Sequence, residues 1–224
     1  MNSNKKTARI KVKKNNLQIG FIILSLIFLF ENSFAKSNEW DTEITDDGKI
    51  TVKSNISERI DEKGEKVQLI EYIASTTTNV SMQNCISVIK DVSIHKEFTD
   101  DEVSKMVKTI SDNEWVVYYY TDAPWPMPDN DCVAKMSFSE DATEKKATFT
   151  LTAAPSSFEN KDVDRMTYYN VSYAFKNLEN GEIEITVSGE MSPIVQVPGW
   201  MVSAWFPDGP ADILRIITKL AENN

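Results

Sequence analysis

Alternating apolar and polar positions predict a series of β-strands between Gly48 and Met191. The first is Lys49-Ile50-Thr51-Val52-Lys53, and the second runs from Lys66 to Thr78, a stretch rich in β-branched residues. The turn signal Asp61-Glu62-Lys63-Gly64 lies between them. These two strands are therefore predicted to form a hairpin.

Later strands are predicted where residues that favour strands lie between polar turns. They cover residues 115–120, 131–139, 147–153, 165–176 and 182–191. Pro124, Pro126 and Pro128 exclude regular strand pairing between the first two of these segments. Residues 100–109 fit either a helix or an edge strand. The pattern predicts an α+β fold whose antiparallel sheet has about seven strands, with one helix after the second strand.

Helical spacing replaces the alternation in two places. Asn79 or Ser81 can cap a first helix, whose apolar positions are Met82, Cys85, Ile86 and Ile89. A longer amphipathic helix near the end of the chain has on one face Ile213, Leu214, Ile216, Ile217 and Leu220. The prolines of Pro207-Asp208-Gly209-Pro210 should break or kink it. A helix lying across a curved sheet can enclose a cavity, so the pattern indicates a ligand rather than a reaction.

The first 35 residues have the organisation of a cleavable signal peptide. Lys5, Lys6, Arg9, Lys11, Lys13 and Lys14 precede an apolar run over residues 17–30. Ser33 and Ala35 then place small residues at the positions required for a cut before Lys36. We therefore expect an exported protein, periplasmic or extracellular. The alternative is an uncleaved signal that anchors the protein, because residues 17–34 approach the length that spans a bilayer.

Charge and length indicate that residues 36–224, which remain after cleavage of the signal peptide, form a single acidic domain. Removing residues 1–35 takes away six basic residues and one acidic residue, so the net charge changes from −10 to −15. Such a charge opposes binding to nucleic acid and to anionic membranes. The length of this part suits one domain with a sizeable core.

Residues suited to catalysis or metal binding are scarce. His95 is the only histidine and has no Cys or His at metal-ligand spacing, so we expect a surface or capping role for it. The sequence contains no phosphate-binding glycine loop, nucleophile elbow or paired-cysteine zinc pattern. Cys85 and Cys132 are the only cysteines and fit either a disulfide or two buried thiols. We therefore predict a protein that is not an enzyme and uses no cofactor or metal.

The segment from Asp122 to Val133, Asp-Ala-Pro-Trp-Pro-Met-Pro-Asp-Asn-Asp-Cys-Val, resembles the central signature of START lipid-binding domains. That signature is a proline-rich turn ending in an Arg-Asp pair that begins the next strand, and here Asn130 stands in place of the arginine. The resemblance extends to Val88-Ile89-Lys90-Asp91, Phe98, Arg165 and Pro198-Gly199-Trp200-Met201-Val202. Together these matches span about residues 48–222.

The resemblance implies a START-like helix-grip fold, in which a curved antiparallel sheet wraps around the long C-terminal helix. It implies an apolar ligand, such as a sterol, a phospholipid or another lipid, in a tunnel between the sheet and that helix. It also favours a strand for residues 102–109. Members of this family mostly bind or carry ligands and lack a fixed catalytic constellation.

Six residues are candidates for contact with such a ligand: Arg165, Tyr169, Tyr173, Trp200, Met201 and Trp205. An Arg165 that faces the tunnel would bind a polar head group, and strand alternation would place Tyr169 and Tyr173 on the same face. The structural alternative for Arg165 is a buried ion pair with Glu182 or Glu184. The apolar candidates from Trp200 onward fit a tunnel wall or plain core equally well.

The leading hypothesis is an exported lipid-binding or lipid-transfer protein whose contact with membranes is transient. One alternative is a cyclase or hydrolase on the same fold, with Arg165 and Tyr169 orienting the substrate. Another is a module that binds a protein partner through an apolar patch outside the tunnel.

Overall fold

The computed structural model describes residues 40–125 and 127–224, and the predicted signal peptide lies outside these residues. Within them ten strands form one sheet. The strands are β1 Asp41–Ile44, β2 Thr51–Ile60, β3 Lys66–Thr78, β4 Val103–Ser111, β5 Glu114–Thr121, β6 Asn130–Asp141, β7 Lys146–Ala153, β8 Asp164–Met166, β9 Tyr169–Asn177 and β10 Ile183–Met191. Three α-helices accompany them: α1 Met82–Lys90, α2 Gly199–Trp205 and α3 Asp208–Glu222.

The strands follow the order β1-β2-β3-β10-β9-β7-β6-β5-β4, and all these neighbours are antiparallel. Strand β8 lies beside the start of β6 and is parallel to it. Most neighbouring strands in the sheet are therefore also neighbours in the sequence. The pairing of β3 with β10 joins the N-terminal strands to the rest of the sheet. Strand β4 is an edge, and charged residues such as Lys105 and Lys108 on it discourage pairing with another chain.

The fold class predicted from the sequence is confirmed, although the sheet contains more strands than the seven expected. The predicted strand at 165–176 is in fact two strands, β8 and β9. Strand β1 lies in a segment for which no strand was predicted. The ambiguous residues 100–109 contain most of β4, so the strand interpretation implied by the resemblance is correct.

Local signals explain where the helices begin and end. The Ser81 hydroxyl accepts a hydrogen bond from the backbone N–H of Asn84 at 3.0 Å and so caps α1. The chain breaks between α2 and α3 at Phe206 and Pro207, as the prolines predicted. The Asn84 amide donates to the carbonyl of Ala221 at 2.8 Å, which ties α1 to the end of α3.

The main core lies between one face of the sheet and helices α1 and α3. Strand alternation directs Val117, Ala134, Phe149 and Phe175 to this inner face, where all four are fully buried. The apolar face of α3 covers them with Leu214 and other residues. Each large apolar side chain buried here stabilises the fold by roughly 1.5–3 kcal/mol.

A smaller core lies on the outer face of the same sheet. It contains Val116, Tyr118 and Val133, with Phe158 packed against them. Phe158 belongs to the segment between β7 and β8, and its ring centroid lies 5.2 Å from that of Tyr118. The sheet is therefore buried on both faces at this end, because one connecting segment folds back over it.

Candidate functional site

Two adjoining cavities lie beside the start of β4 and helices α2 and α3. One, which we call the helix cavity, has a volume of about 200 Å³ and lies between the helices and the residues that precede β4. The other, the sheet cavity, has a volume of about 160 Å³ and is bounded by the inner face of six strands. Phe98, Asp100, Trp205 and Ile213 line both cavities, so the two are neighbours across shared walls.

Two glycines make room for the aromatic walls of these cavities. A Cβ atom at Gly189 would lie 2.2 Å from the Cε1 of Tyr72, and one at Gly209 would lie 2.0 Å from the Nε1 of Trp205. Only a residue without a side chain lets the two rings lie this close to the backbone. The rings of Tyr72 and Trp205 then meet edge to face, with centroids 5.4 Å apart.

Asp101 places a carboxyl group in the wall of the sheet cavity, just before β4. The hydroxyls of Thr99 and Thr121 donate to its two oxygens at 2.6 and 2.7 Å. Burial, which disfavours the ionised form, raises the pKa of Asp101 to about 6. Asp101 therefore changes its charge close to neutral pH, a property common among residues of functional sites.

His95 forms a hydrogen bond with Tyr119, a residue of the cavity wall. Its Nε2 lies 2.8 Å from the carbonyl of Ile89, and its Nδ1 lies 2.8 Å from the hydroxyl of Tyr119. The carbonyl can only accept, so Nε2 carries the proton and the Tyr119 hydroxyl donates to Nδ1. Burial lowers the pKa of His95 to about 4, which keeps the ring neutral.

The predicted surface position of His95 is therefore wrong, because the side chain is fully buried. The predicted capping role is confirmed, since Ile89 lies in the last turn of α1 and its carbonyl accepts from the ring. The sequence around His95 is polar, which concealed its burial in the core. Through Tyr119, a residue of the cavity wall, His95 fixes the orientation of one hydroxyl of the site.

Three further tyrosines, Tyr72, Tyr169 and Tyr173, line the sheet cavity. Burial raises the pKa of all three, so their hydroxyls stay protonated at neutral pH. Among the described residues, none of these hydroxyls forms a hydrogen bond with another side chain or the backbone. Each is therefore free to bond a polar group inside the cavity, because a tyrosine hydroxyl both donates and accepts.

Arg165 does not line either cavity, because it points to the outer face of the sheet. Its Nε and Nη2 donate to the two carboxylate oxygens of Asp131, both at 2.7 Å. Its remaining N–H groups donate to the carbonyls of Pro155, Phe158 and Glu159 at 2.7–2.8 Å. A guanidinium has five N–H donors, and all five are occupied.

The structural alternative for Arg165, an ion pair, is thus the one observed, but the expected partners Glu182 and Glu184 are not. The strand that was predicted to run through Arg165 and Tyr169 is interrupted between β8 and β9. The alternation that would have placed both side chains on one face is broken at that point. Arg165 instead fastens the segment that carries Phe158 to the outer face.

The other predicted site residues divide into two groups. Tyr169, Tyr173 and Trp205 line the sheet cavity together. Trp200 and Met201 line neither cavity, and 70% of the Trp200 surface is exposed. Contact between any of these residues and a ligand remains a prediction.

The cavity wall also contains Tyr72, Tyr119 and Asp101, which were not predicted as site residues. A signal was present for Tyr119, because alternation along residues 115–120 places Trp115, Val117 and Tyr119 on one face. Asp101 offered no such signal, since it precedes its strand and follows Asp100, whose φ of 58° turns the chain.

The described part of the chain shows neither a cluster of metal-binding residues nor a disulfide. It contains no group of three or more His, Cys, Asp or Glu residues that could hold a metal ion. Cys85 and Cys132 are both buried free thiols, so the disulfide alternative is not formed. Burial raises the pKa of Cys85 to about 12, and a thiol in this state is a poor nucleophile. No helix of residues 40–125 and 127–224 is long and apolar enough to cross a membrane.

The described residues thus form an α+β domain in which a sheet and its closing helices border two cavities. Comparison with solved structures identifies this fold. The STAR-related lipid transfer protein of Xanthomonas axonopodis, solved as a fragment, has a TM-score of 0.66 at 17% identity, covering 82% of this chain and 98% of that one. Human StAR-related lipid transfer protein 5 has a TM-score of 0.62 at 11% identity, covering 92% and 96%.

The lipid transfer and protein localization domain of human StarD13 has a TM-score of 0.60 at 16% identity, covering 93% of this chain and 98% of that domain. No protein-family model matches the sequence, and no curated protein does. The protein therefore has the START-like helix-grip fold that the sequence resemblance implied.

Proposed function

We propose that the protein binds a lipid or a similar hydrophobic molecule between its sheet and helices α2 and α3, and that it acts as a carrier. The observation that supports this most strongly is the pair of adjoining cavities at the place where a helix-grip fold encloses its ligand. Their walls combine aromatic and apolar side chains with a few polar groups, the composition typical of small-molecule sites.

Cavity size adds a mechanical requirement to the proposal. Pockets for small molecules usually have volumes of about 300–1,000 Å³. The sheet cavity alone, at about 160 Å³, is too small for a whole lipid. Joining it to the helix cavity requires movement of the walls that the two cavities share, and Trp205 of α2 is one of the residues in those walls. We therefore propose that α2 shifts when the ligand enters.

Trp205 and Trp200 provide a matched pair for testing this site, because both lie on α2 and only Trp205 lines the cavities. Native mass spectrometry of the purified domain should show a bound lipid. We expect Trp205→Ala to reduce the bound fraction strongly, since it removes part of the wall, whereas Trp200→Ala should retain it. A wild-type protein that neither carries lipid nor takes up added lipid would contradict the proposal.

Export and brief membrane contact belong to the same proposal. The basic and apolar pattern of residues 1–35, together with small residues before Lys36, supports cleavage and release. The exposed Trp200 is suited to touch a bilayer surface while the ligand passes. Sequencing the N-terminus of the secreted protein should give Lys36, and retention of the first 35 residues would contradict cleavage. Trp200→Ala should slow lipid transfer between vesicles without weakening equilibrium binding.

The enzyme alternative receives less support from the geometry. It assigned Arg165 and Tyr169 to one substrate, but all donors of Arg165 are bonded on the outer face while Tyr169 lines the cavity. We therefore propose binding without turnover.

A further inference from the structure

The charges that face the two cavities are all negative. Asp100 and Asp101 line the sheet cavity, and Asp100 and Asp212 line the helix cavity. None of the described residues that line either cavity is a lysine, an arginine or a histidine. Asp212 is bonded by Arg215 at 2.7 Å on the exposed side of α3. Asp100 and Asp101 have no such counter-charge in the cavity walls.

The nearest guanidinium of the sheet cannot supply one. Arg165 is bonded through all five of its N–H groups, and its side chain lies on the opposite face of β6 and β8 from Cys132 and Met166. A ligand that brought a carboxylate or phosphate into the sheet cavity would therefore meet Asp101 without a compensating cation. Like charges brought together in a poorly solvated site repel one another strongly.

Asp101 still has capacity to accept hydrogen bonds. An ionised carboxylate offers about four acceptor positions, and the hydroxyls of Thr99 and Thr121 occupy two of them. A second observation points to a polar ligand group at the same place. Tyr173 is only 2% exposed and lines the cavity, yet within the described residues its hydroxyl makes no hydrogen bond.

We propose that the sheet cavity selects an amphiphile whose head group donates hydrogen bonds and carries no negative charge, with Asp101 as the acceptor that recognises it. An ammonium or a hydroxyl head satisfies this requirement, and a carboxylate or phosphate head does not. The tyrosine hydroxyls complete the polar surroundings of the head group, and the apolar chain lies along Trp205 and Met191. This inference rests on the proposed lipid-binding function and names the ligand class of the same site.

Three probes with the same twelve-carbon tail separate the head group from the tail: dodecylamine, dodecanol and dodecanoate. Titration calorimetry at pH 7.5, with each probe below its micellar concentration, should give measurable binding of the amine and the alcohol. We expect dodecanoate to bind at least about tenfold more weakly than either, because its charge meets Asp101.

The variant Asp101→Asn removes the charge and keeps the shape of the side chain. It should bring the three affinities to within about threefold of one another, because the repulsion and the attraction both depend on that charge. Asp112→Asn makes the same change of charge in the exposed turn between β4 and β5, and it should leave the wild-type order unchanged. Circular dichroism verifies that both variants are folded.

The outcomes distinguish this inference from the proposed function. Equal binding of all three probes to the wild type, or tighter binding of dodecanoate, overturns the selectivity and leaves lipid binding intact. Failure of every probe to bind overturns both. The comparison among probes in the wild type stands by itself, so the inference remains testable even if Asp101→Asn does not fold.

Discussion

Two aspartates, the fully buried Asp131 and the half-buried Asp101, have opposite surroundings. Asp131 is fully buried on the outer face, where both of its oxygens accept from Arg165. Asp101 faces the inner cavity and accepts only from the neutral hydroxyls of Thr99 and Thr121. The first carboxylate has a built-in counter-ion, and the second does not.

The difference separates a charge that is paired within the fold from a carboxyl group that faces a cavity. A charge pair with complete hydrogen bonding holds the segment around Phe158 on the sheet and has nothing left for a ligand. Burial raises the pKa of the Asp101 carboxyl group, which also keeps open acceptor positions toward the cavity. Arg165, which was predicted from the sequence to bind the ligand, belongs to the ion pair with Asp131.

The largest effect we expect comes from breaking the outer pair. Arg165→Ala leaves Asp131 buried without a counter-charge and should lower the free energy of unfolding by about 3–5 kcal/mol. Arg215→Ala is the matched control, because its pair with Asp212 is exposed on both sides and should contribute at most about 1 kcal/mol. Urea denaturation of the two variants measures both values. A loss below about 1 kcal/mol for Arg165→Ala would show that the pair is not structural.

A smaller effect, which depends on pH, should come from Asp101. Its pKa is raised to about 6 in the folded protein from an ordinary value of 3.8, so the folded state binds more protons between these limits. The stability of the wild type relative to Asp101→Asn should therefore fall as the pH rises from 4 to 7, on the order of 2 kcal/mol.

The groups that face Asp101 do not obscure this measurement. Asp100 raises the pKa of Asp101, while burial holds the pKa values of Tyr119, Tyr173 and Cys132 above the range studied. His95 contributes with the opposite sign, because its lowered pKa makes the protein less stable as the pH falls. That contribution is common to both proteins and cancels in the difference. A difference that does not vary with pH would show that Asp101 is not buried in the cavity wall.

A moderate stability change should accompany a large change in binding at Gly209. Gly209→Ala places a methyl group where the indole of Trp205 lies and should displace it, at a cost of about 1–3 kcal/mol. Because Trp205 lines both cavities, we expect lipid binding to weaken by more than the stability change alone would suggest. Ser203→Ala, on the exposed side of α2, is the control and should alter neither property. Unchanged lipid affinity in Gly209→Ala would remove Trp205 from the ligand wall.

The parts of the fold that sequence could predict are those set by local pattern. The strand at Lys66–Thr78, the cap at Ser81 and the break before α3 each follow from residues within a few positions. The partner of Arg165 could not be predicted in this way, because Asp131 is 34 residues away and belongs to another strand. The interruption between β8 and β9 also reversed the face to which Arg165 was assigned.

Part of the cavity wall was predictable from strand alternation. Tyr169 and Tyr173 follow the period of β9 and were identified. Asp101 and Gly209 were not, since their importance depends on which distant side chain packs against them. Gly209 has its role because of the Trp205 indole, and Asp101 because Thr99 and Thr121 turn their hydroxyls toward it.

The central claim is that the ligand lies on the inner face, between the sheet and α2, and it can be tested by photocrosslinking. A fatty alcohol with a diazirine near the end of its chain should label peptides that contain Trp205 or Met191, and unlabelled dodecanol should compete. Labelling confined to the outer face, at Tyr118 or Phe158, would contradict the account.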